Sequence, residues 1–145
     1  MVSTVGPIAV LALRPEPGNV REARQAVARA AGAAGAPPDR VGDLMVAVSE
    51  ACTNAIESHV AAEDPTPVAV QVLREEAELV VLIEDHGHGF DPAGRPPRPP
   101  VGDPEHLRIE RGWGIELMQA LVDQLSFERT ALGMKVRLVI DVPPM

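Results

Sequence analysis

Fifteen prolines divide this 145-residue chain into the segments that can carry regular structure. A proline removes a backbone donor and clashes with the turn before it, so helices and central strands must lie between prolines. Pairs at Pro15/Pro17, Pro37/Pro38, Pro65/Pro67 and Pro143/Pro144 mark ends, while Pro92, Pro96, Pro97, Pro99, Pro100 and Pro104 crowd one stretch. With 46% hydrophobic but only 2% aromatic residues, the core must be built from Val, Leu, Ile, Ala and Met. The length suits one domain over 1–145, with one sizeable core.

The segments between the prolines have clear periods. An apolar run at 8–13 reads as a strand. Residues 20–34 are rich in Ala and Arg and read as a helix, which Gly35 and the Pro37/Pro38 pair stop. A second helix is expected over 39–59 with Asp39 as N-cap. Its 100° steps put Val41, Leu44, Met45, Val48, Cys52, Ala55 and Ile56 on one face, opposite Asp43, Glu50, Asn54 and Glu57. Runs at 68–73 and 78–84 form a hairpin with a polar turn at 74–77. The proline-crowded stretch at 93–110 has no period and reads as an irregular loop. A third helix over 114–123 is followed by strands near 125–128 and 134–142, around Gly133. This order predicts an α+β fold: a two-layer sandwich of a mainly antiparallel sheet with helices on one face.

Several chemistries are excluded or disfavoured. The net charge of −8 disfavours a phosphate-covered partner, so no direct nucleic-acid binding is expected. Lys135 is the only lysine and follows Gly133-Met134, so the phosphate-binding pattern G-x-x-x-x-G-K-[ST] cannot occur. Cys52 is the only cysteine, which rules out an intramolecular disulfide or a cysteine zinc cluster; on its helix's apolar face it reads as a buried thiol. No apolar run reaches the ~18 residues of a membrane span, and the first residues lack the positive region of an export signal. The expectation is a soluble cytoplasmic protein without a membrane partner. His86-x-His88, with His59 and His106, lies on a glycine-rich turn that offers no further metal ligands.

Three weak signals remain. Glu50 and Asn54 lie four residues apart, bringing a carboxylate and an amide oxygen together on one helix face. A carboxylate can take the proton of a hydroxyl nucleophile, and an amide oxygen suits Mg²⁺; the polar side of any amphipathic helix would look the same. Asp85-x-Gly87-x-Gly89 stands where a buried strand ends. Its carboxylate can fix an exocyclic amine such as that of adenine, and its glycines allow close backbone approach, although an ordinary turn is also compatible. Arg111-Gly112-Trp113-Gly114 precedes a helix, whose free N–H groups and positive end suit a phosphate or simply form a hinge.

The order of these signals resembles the ATP-binding fold shared by gyrase, histidine kinases and MutL, the Bergerat fold of the GHKL superfamily. MVAVSEACTNAI at 45–56 is similar to the N box of the anti-sigma factor serine kinases of the RsbW and SpoIIAB type. IEDHGHGFDP at 83–92 resembles their G1 box, and RGWGIELMQALVD at 111–123 their G2 box. The likeness runs over about 8–142. It departs at 57–60, where ESHV stands in place of the relatives' His-Ala-Tyr continuation, and in the proline-rich lid.

The resemblance implies ATP and Mg²⁺ as cofactors, with Glu50 as catalytic base towards a substrate serine and Asn54 as a Mg²⁺ ligand. It implies that Asp85 holds the adenine amine, that Gly87 and Gly89 shape its pocket, and that Arg111, Gly112 and Gly114 line the triphosphate under a lid at about 91–111. It implies that Arg24 contacts protein partners: a sigma factor, which is sequestered, and a STAS-domain anti-anti-sigma factor, which is phosphorylated. A homodimer is implied as well. With Glu50 and Asn54 both present, an active protein serine kinase is expected; the alternative is a non-catalytic ATP-binding partner-switching protein of the same fold.

Overall fold

The computed structural model describes residues 6–86 and 114–144. Its strands are β1 (Ala9–Leu13), β2 (Val68–Glu75), β3 (Glu78–Asp85), β4 (Gln124–Arg129) and β5 (Met134–Asp141). Its α-helices are α1 (Val20–Ala33), α2 (Pro38–Ala61) and α3 (Gly114–Leu121), and a 3-10 turn at Pro17–Asn19 leads into α1.

The strands form one sheet in the order β1-β2-β3-β5-β4, and every pairing among the described residues is antiparallel. Alternation sorts its side chains. Val68, Val70 and Val72 of β2, Leu79, Val81 and Ile83 of β3, and Val136, Leu138 and Ile140 of β5 enter the core. On α1 the buried residues Ala23, Val27 and Ala31 recur every four residues, as an amphipathic helix requires. The helices cover the face lined by these strand residues, giving the two-layer α+β sandwich that the sequence predicts. Each Leu, Ile or Val fully removed from water contributes about 1.5–3 kcal/mol. Among the described residues, no helix is long and apolar enough to cross a membrane.

Element ends differ from the sequence reading in instructive ways. Pro37 is the N-cap of α2 and Pro38 its first residue, so Asp39 lies in the first turn and does not cap. Proline suits that position because the donor it lacks would be unpaired anyway. The hairpin turn shrinks to Glu76 and Ala77, because β2 and β3 stay paired as far as Glu75 and Glu78. Glu76 takes a positive φ of 54° to close it.

Helix α2 is buried more widely than a single stripe. Ala47, Ala51 and His59 join Leu44, Val48, Cys52, Ala55 and Ile56 inside, because α2 touches α1, the sheet and α3 at once. Cys52 is fully buried, and this burial pushes its thiol up to about 12. A thiol so protonated and enclosed is no nucleophile at neutral pH. We expect an aromatic disulfide reagent at pH 8 to leave Cys52 unmodified in the native protein and to titrate one thiol after urea unfolding. Rapid native labelling would show that the α2 core opens far more readily than its packing indicates.

Candidate nucleotide site

Helix α2 sets the site because it carries Glu50 and Asn54 one turn apart, both half-buried. Gly114, the first residue of α3, packs directly on Glu50. A Cβ placed there would lie 2.6 Å from both Glu50 Cγ and Cδ, and nearer still to Oε1. A side chain there would push the Glu50 carboxylate away from the start of α3. The first N–H groups of a helix have no partner within it and carry its positive end, so this is a favourable place for negative charge.

The other end of α3 is tied to the other end of α2. Arg40 donates from Nη1 to the carbonyl of Leu121 at 3.1 Å and to Asp43 at 2.9 Å, and from Nη2 to Asp123 at 3.0 Å. Asp123 Oδ2 also accepts the backbone N–H of Asp141 at 2.8 Å. Contacts from Glu50 to Gly114 and from Arg40 to Leu121 make α3 run antiparallel to α2. Arg40 and its carboxylates are partly exposed, so these ion pairs fix geometry more than they stabilise.

Asp85 ends β3 on the side facing the helices, following Leu79, Val81 and Ile83, and is only 7% exposed. Among the described residues the buried polar or charged side chains are Asp85 and His59. A carboxylate is rarely buried to this extent, which makes this strand end conspicuous. Its backbone is held tightly: a Cβ on Gly133 would lie 2.9 Å from the Asp85 carbonyl carbon and the His86 Cα, and closer to the carbonyl oxygen.

Thus the structure joins Glu50 and Gly114 at the α2–α3 contact, with Asn54 one turn along α2, and buries Asp85 at the end of β3. Among the described residues the Asn54 side chain makes no hydrogen bond, leaving its amide oxygen free for a hard cation. Arg24 is half-buried on α1, a different element, and makes no hydrogen bond or ion pair among the described residues. Gly87, Gly89, Arg111 and Gly112, together with His88, Trp113 and the lid at about 91–111, lie outside the described residues.

Sequence reasoning missed His59 and Gly133. His59 lies seven residues after Cys52 and three after Ile56, so the helical period already assigned it to the apolar face. Gly133 gave no signal beyond its turn, since the strand it abuts is 48 residues distant in sequence.

A family model described as the histidine kinase-like ATPase domain matches residues 13–140, and the chain belongs to that family. Within it the likeness is to the RsbW type. The chain is 32% identical over 122 residues to the serine-protein kinase RsbW of Listeria monocytogenes, covering 80% of this chain and 76% of that protein. It is 33% identical over 93 residues to the serine-protein kinase RsbW of Bacillus licheniformis, covering 62% of this chain and 58% of the relative. The structure of the RsbU and RsbW domains of a Mycobacterium tuberculosis protein superposes with a TM-score of 0.68 at 19% identity, over 94% of this chain and 32% of that one. The SiaB–SiaC complex from Pseudomonas aeruginosa gives 0.65 at 15% identity, over 92% of this chain and 89% of that one. At such identities the two structures bear on the fold alone.

The two glycines predict opposite responses to one added methyl group. Gly133→Ala meets backbone, which cannot yield without disturbing the β3–β5 pairing, and should cost about 1–3 kcal/mol in urea unfolding. Gly114→Ala meets the end of a flexible side chain and should cost less, because Glu50 can swing away. A larger loss for Gly114→Ala would mean that the Glu50 carboxylate is held rigidly.

Proposed function

We propose that this chain is an ATP-dependent protein serine kinase and anti-sigma factor, which sequesters a sigma factor and phosphorylates a STAS-domain anti-anti-sigma factor. The observation that carries this reading is the seating of Gly114, at the start of α3, on the Glu50 carboxylate, with the Asn54 amide, which makes no hydrogen bond among the described residues, one turn along. A proton acceptor then meets a helix N-terminus, with a hard oxygen ligand one turn along the same helix, an arrangement that suits transfer from a polyphosphate to a hydroxyl. Membership of the histidine kinase-like ATPase family and the names of the relatives agree with it.

The triphosphate would lie at the start of α3, lined by Gly112 and Gly114 with Arg111 adding charge, under the lid proposed at about 91–111. Asp85 accepts the adenine amine, within a pocket shaped by Gly87 and Gly89. Asn54 holds Mg²⁺, which when bound neutralises charge developing on the phosphate oxygens. Glu50 takes the proton from the serine hydroxyl as its oxygen attacks the γ-phosphorus. The phosphorus–oxygen bond to ADP breaks in the same displacement, and the products are phosphoserine, ADP and a proton held by Glu50.

The remaining roles concern partners. Arg24, presented on α1 without an internal partner among the described residues, contacts the sigma factor and its antagonist. The net charge of −8 suits a protein that governs transcription through a DNA-binding partner without touching DNA itself. The chain works in the cytoplasm as a homodimer of single-domain protomers.

Glu50→Gln keeps the shape of the side chain and removes its basicity. It should bind Mg²⁺-ADP within a few-fold of the unsubstituted protein, yet transfer radiolabel from ATP to a STAS-domain protein about 10²- to 10⁴-fold more slowly. Undiminished transfer would dismiss Glu50 as the base. If the unsubstituted protein also transfers no label but still binds a sigma factor, the protein is a non-catalytic partner-switching regulator.

A further inference from the structure

His59 is fully buried in the last turn of α2, and both of its ring nitrogens are engaged. Nδ1 is 2.8 Å from the carbonyl oxygen of Thr66, and Nε2 is 2.7 Å from the backbone nitrogen of His86. A carbonyl can only accept and a backbone N–H can only donate, so the proton is on Nδ1 and the lone pair on Nε2. The surroundings therefore select one neutral tautomer.

The same three residues close a ring of hydrogen bonds. Thr66 Oγ1 lies 2.6 Å from Asp64 Oδ1 and 2.9 Å from His86 Nδ1. Since the carboxylate can only accept, the hydroxyl proton goes to Asp64 and His86 Nδ1–H donates to Oγ1. The hydroxyl and amide of Thr66 hold the Asp64 carboxyl below its usual range. His86 is thus gripped by its ring from Thr66 and by its backbone from His59.

We propose that His59 is a positioning residue for the nucleotide site: its Nε2, accepting the His86 N–H, fixes the peptide that follows Asp85 and so aims the buried Asp85 carboxylate. Gly133 blocks that stretch of backbone from one side and His59 anchors it by a hydrogen bond. The acceptor nitrogen belongs to a fully buried ring, so losing it removes the hydrogen bond that ties this strand end to α2. The inference rests on the reading of Asp85 as the adenine ligand.

Two substitutions separate this role from simple support of the fold. Glutamine places its amide oxygen near the position of Nε2, so His59→Gln keeps an acceptor for His86 and loses the donor to Thr66. Asparagine places its amide nitrogen near the position of Nδ1, so His59→Asn keeps the donor and loses the acceptor. Each removes one hydrogen bond to a backbone group and keeps the other, so both should lower the melting temperature similarly.

Their affinities for Mg²⁺-ADP, measured by calorimetry below both melting temperatures, should nevertheless diverge: within about threefold of the unsubstituted protein for His59→Gln, and weaker by tenfold or more for His59→Asn. Equal losses in the two variants, or no loss in His59→Asn, would overturn the positioning role while leaving the Asp85 reading intact. Failure of the unsubstituted protein to bind ADP would instead overturn that reading, and this inference with it. Should His59→Asn not fold, ¹⁵N NMR of the unsubstituted protein decides: a coupling across the hydrogen bond from the His86 amide to an unprotonated His59 Nε2 is expected. A protonated Nε2 would contradict the proposal.

Discussion

The arrangement depends on the absence of a side chain at Gly114. Because α3 begins there, its first turn can close on Glu50, and the helix then runs back along α2 until Arg40 binds the carbonyl of its last residue, Leu121. One helix pair thus fixes a carboxylate against the positive end of its neighbour. A side chain at Gly114 would displace the carboxylate from the start of α3, because it would occupy the same space.

The second half of the site belongs to the sheet. Strand β3 is central, paired with β2 and β5, and its inward residues Leu79, Val81 and Ile83 sit in the core shared with α2. Asp85 continues this inward alternation by one step beyond the apolar residues, which carries a charged group into a buried position at the strand's end. Gly133, in the turn before β5, and His59, on α2, then restrain the same peptide. A rigid strand end next to a packed helix pair is the kind of scaffold on which binding groups keep their geometry.

Much of this was legible in the sequence because it is written in local periods. The alternation in β2 and β5, the four-residue recurrence of Ala23, Val27 and Ala31, and the spacing of Glu50 and Asn54 all depend on one element at a time. The ordered boxes made the family resemblance specific, since no single box was informative alone. Contacts between elements were not legible: Gly114 on Glu50, Gly133 on Asp85 and His59 on His86 are made by the fold, and nothing near any of these residues announces its partner. Asp39 misled for a related reason, because a good capping side chain was outranked by a proline pair that fixes the backbone one residue earlier.

In the proposed function a nucleotide occupies the junction of α2, the end of β3 and the start of α3. Amide hydrogen exchange with and without Mg²⁺-ADP tests it directly. Added nucleotide should slow exchange in the second half of α2 around Glu50 and Asn54, at Asp85 and His86, and in the first turn of α3, leaving β1 and β4 at the sheet edges unchanged. Protection centred on β1 or β4, or none at all at saturating nucleotide, would contradict it.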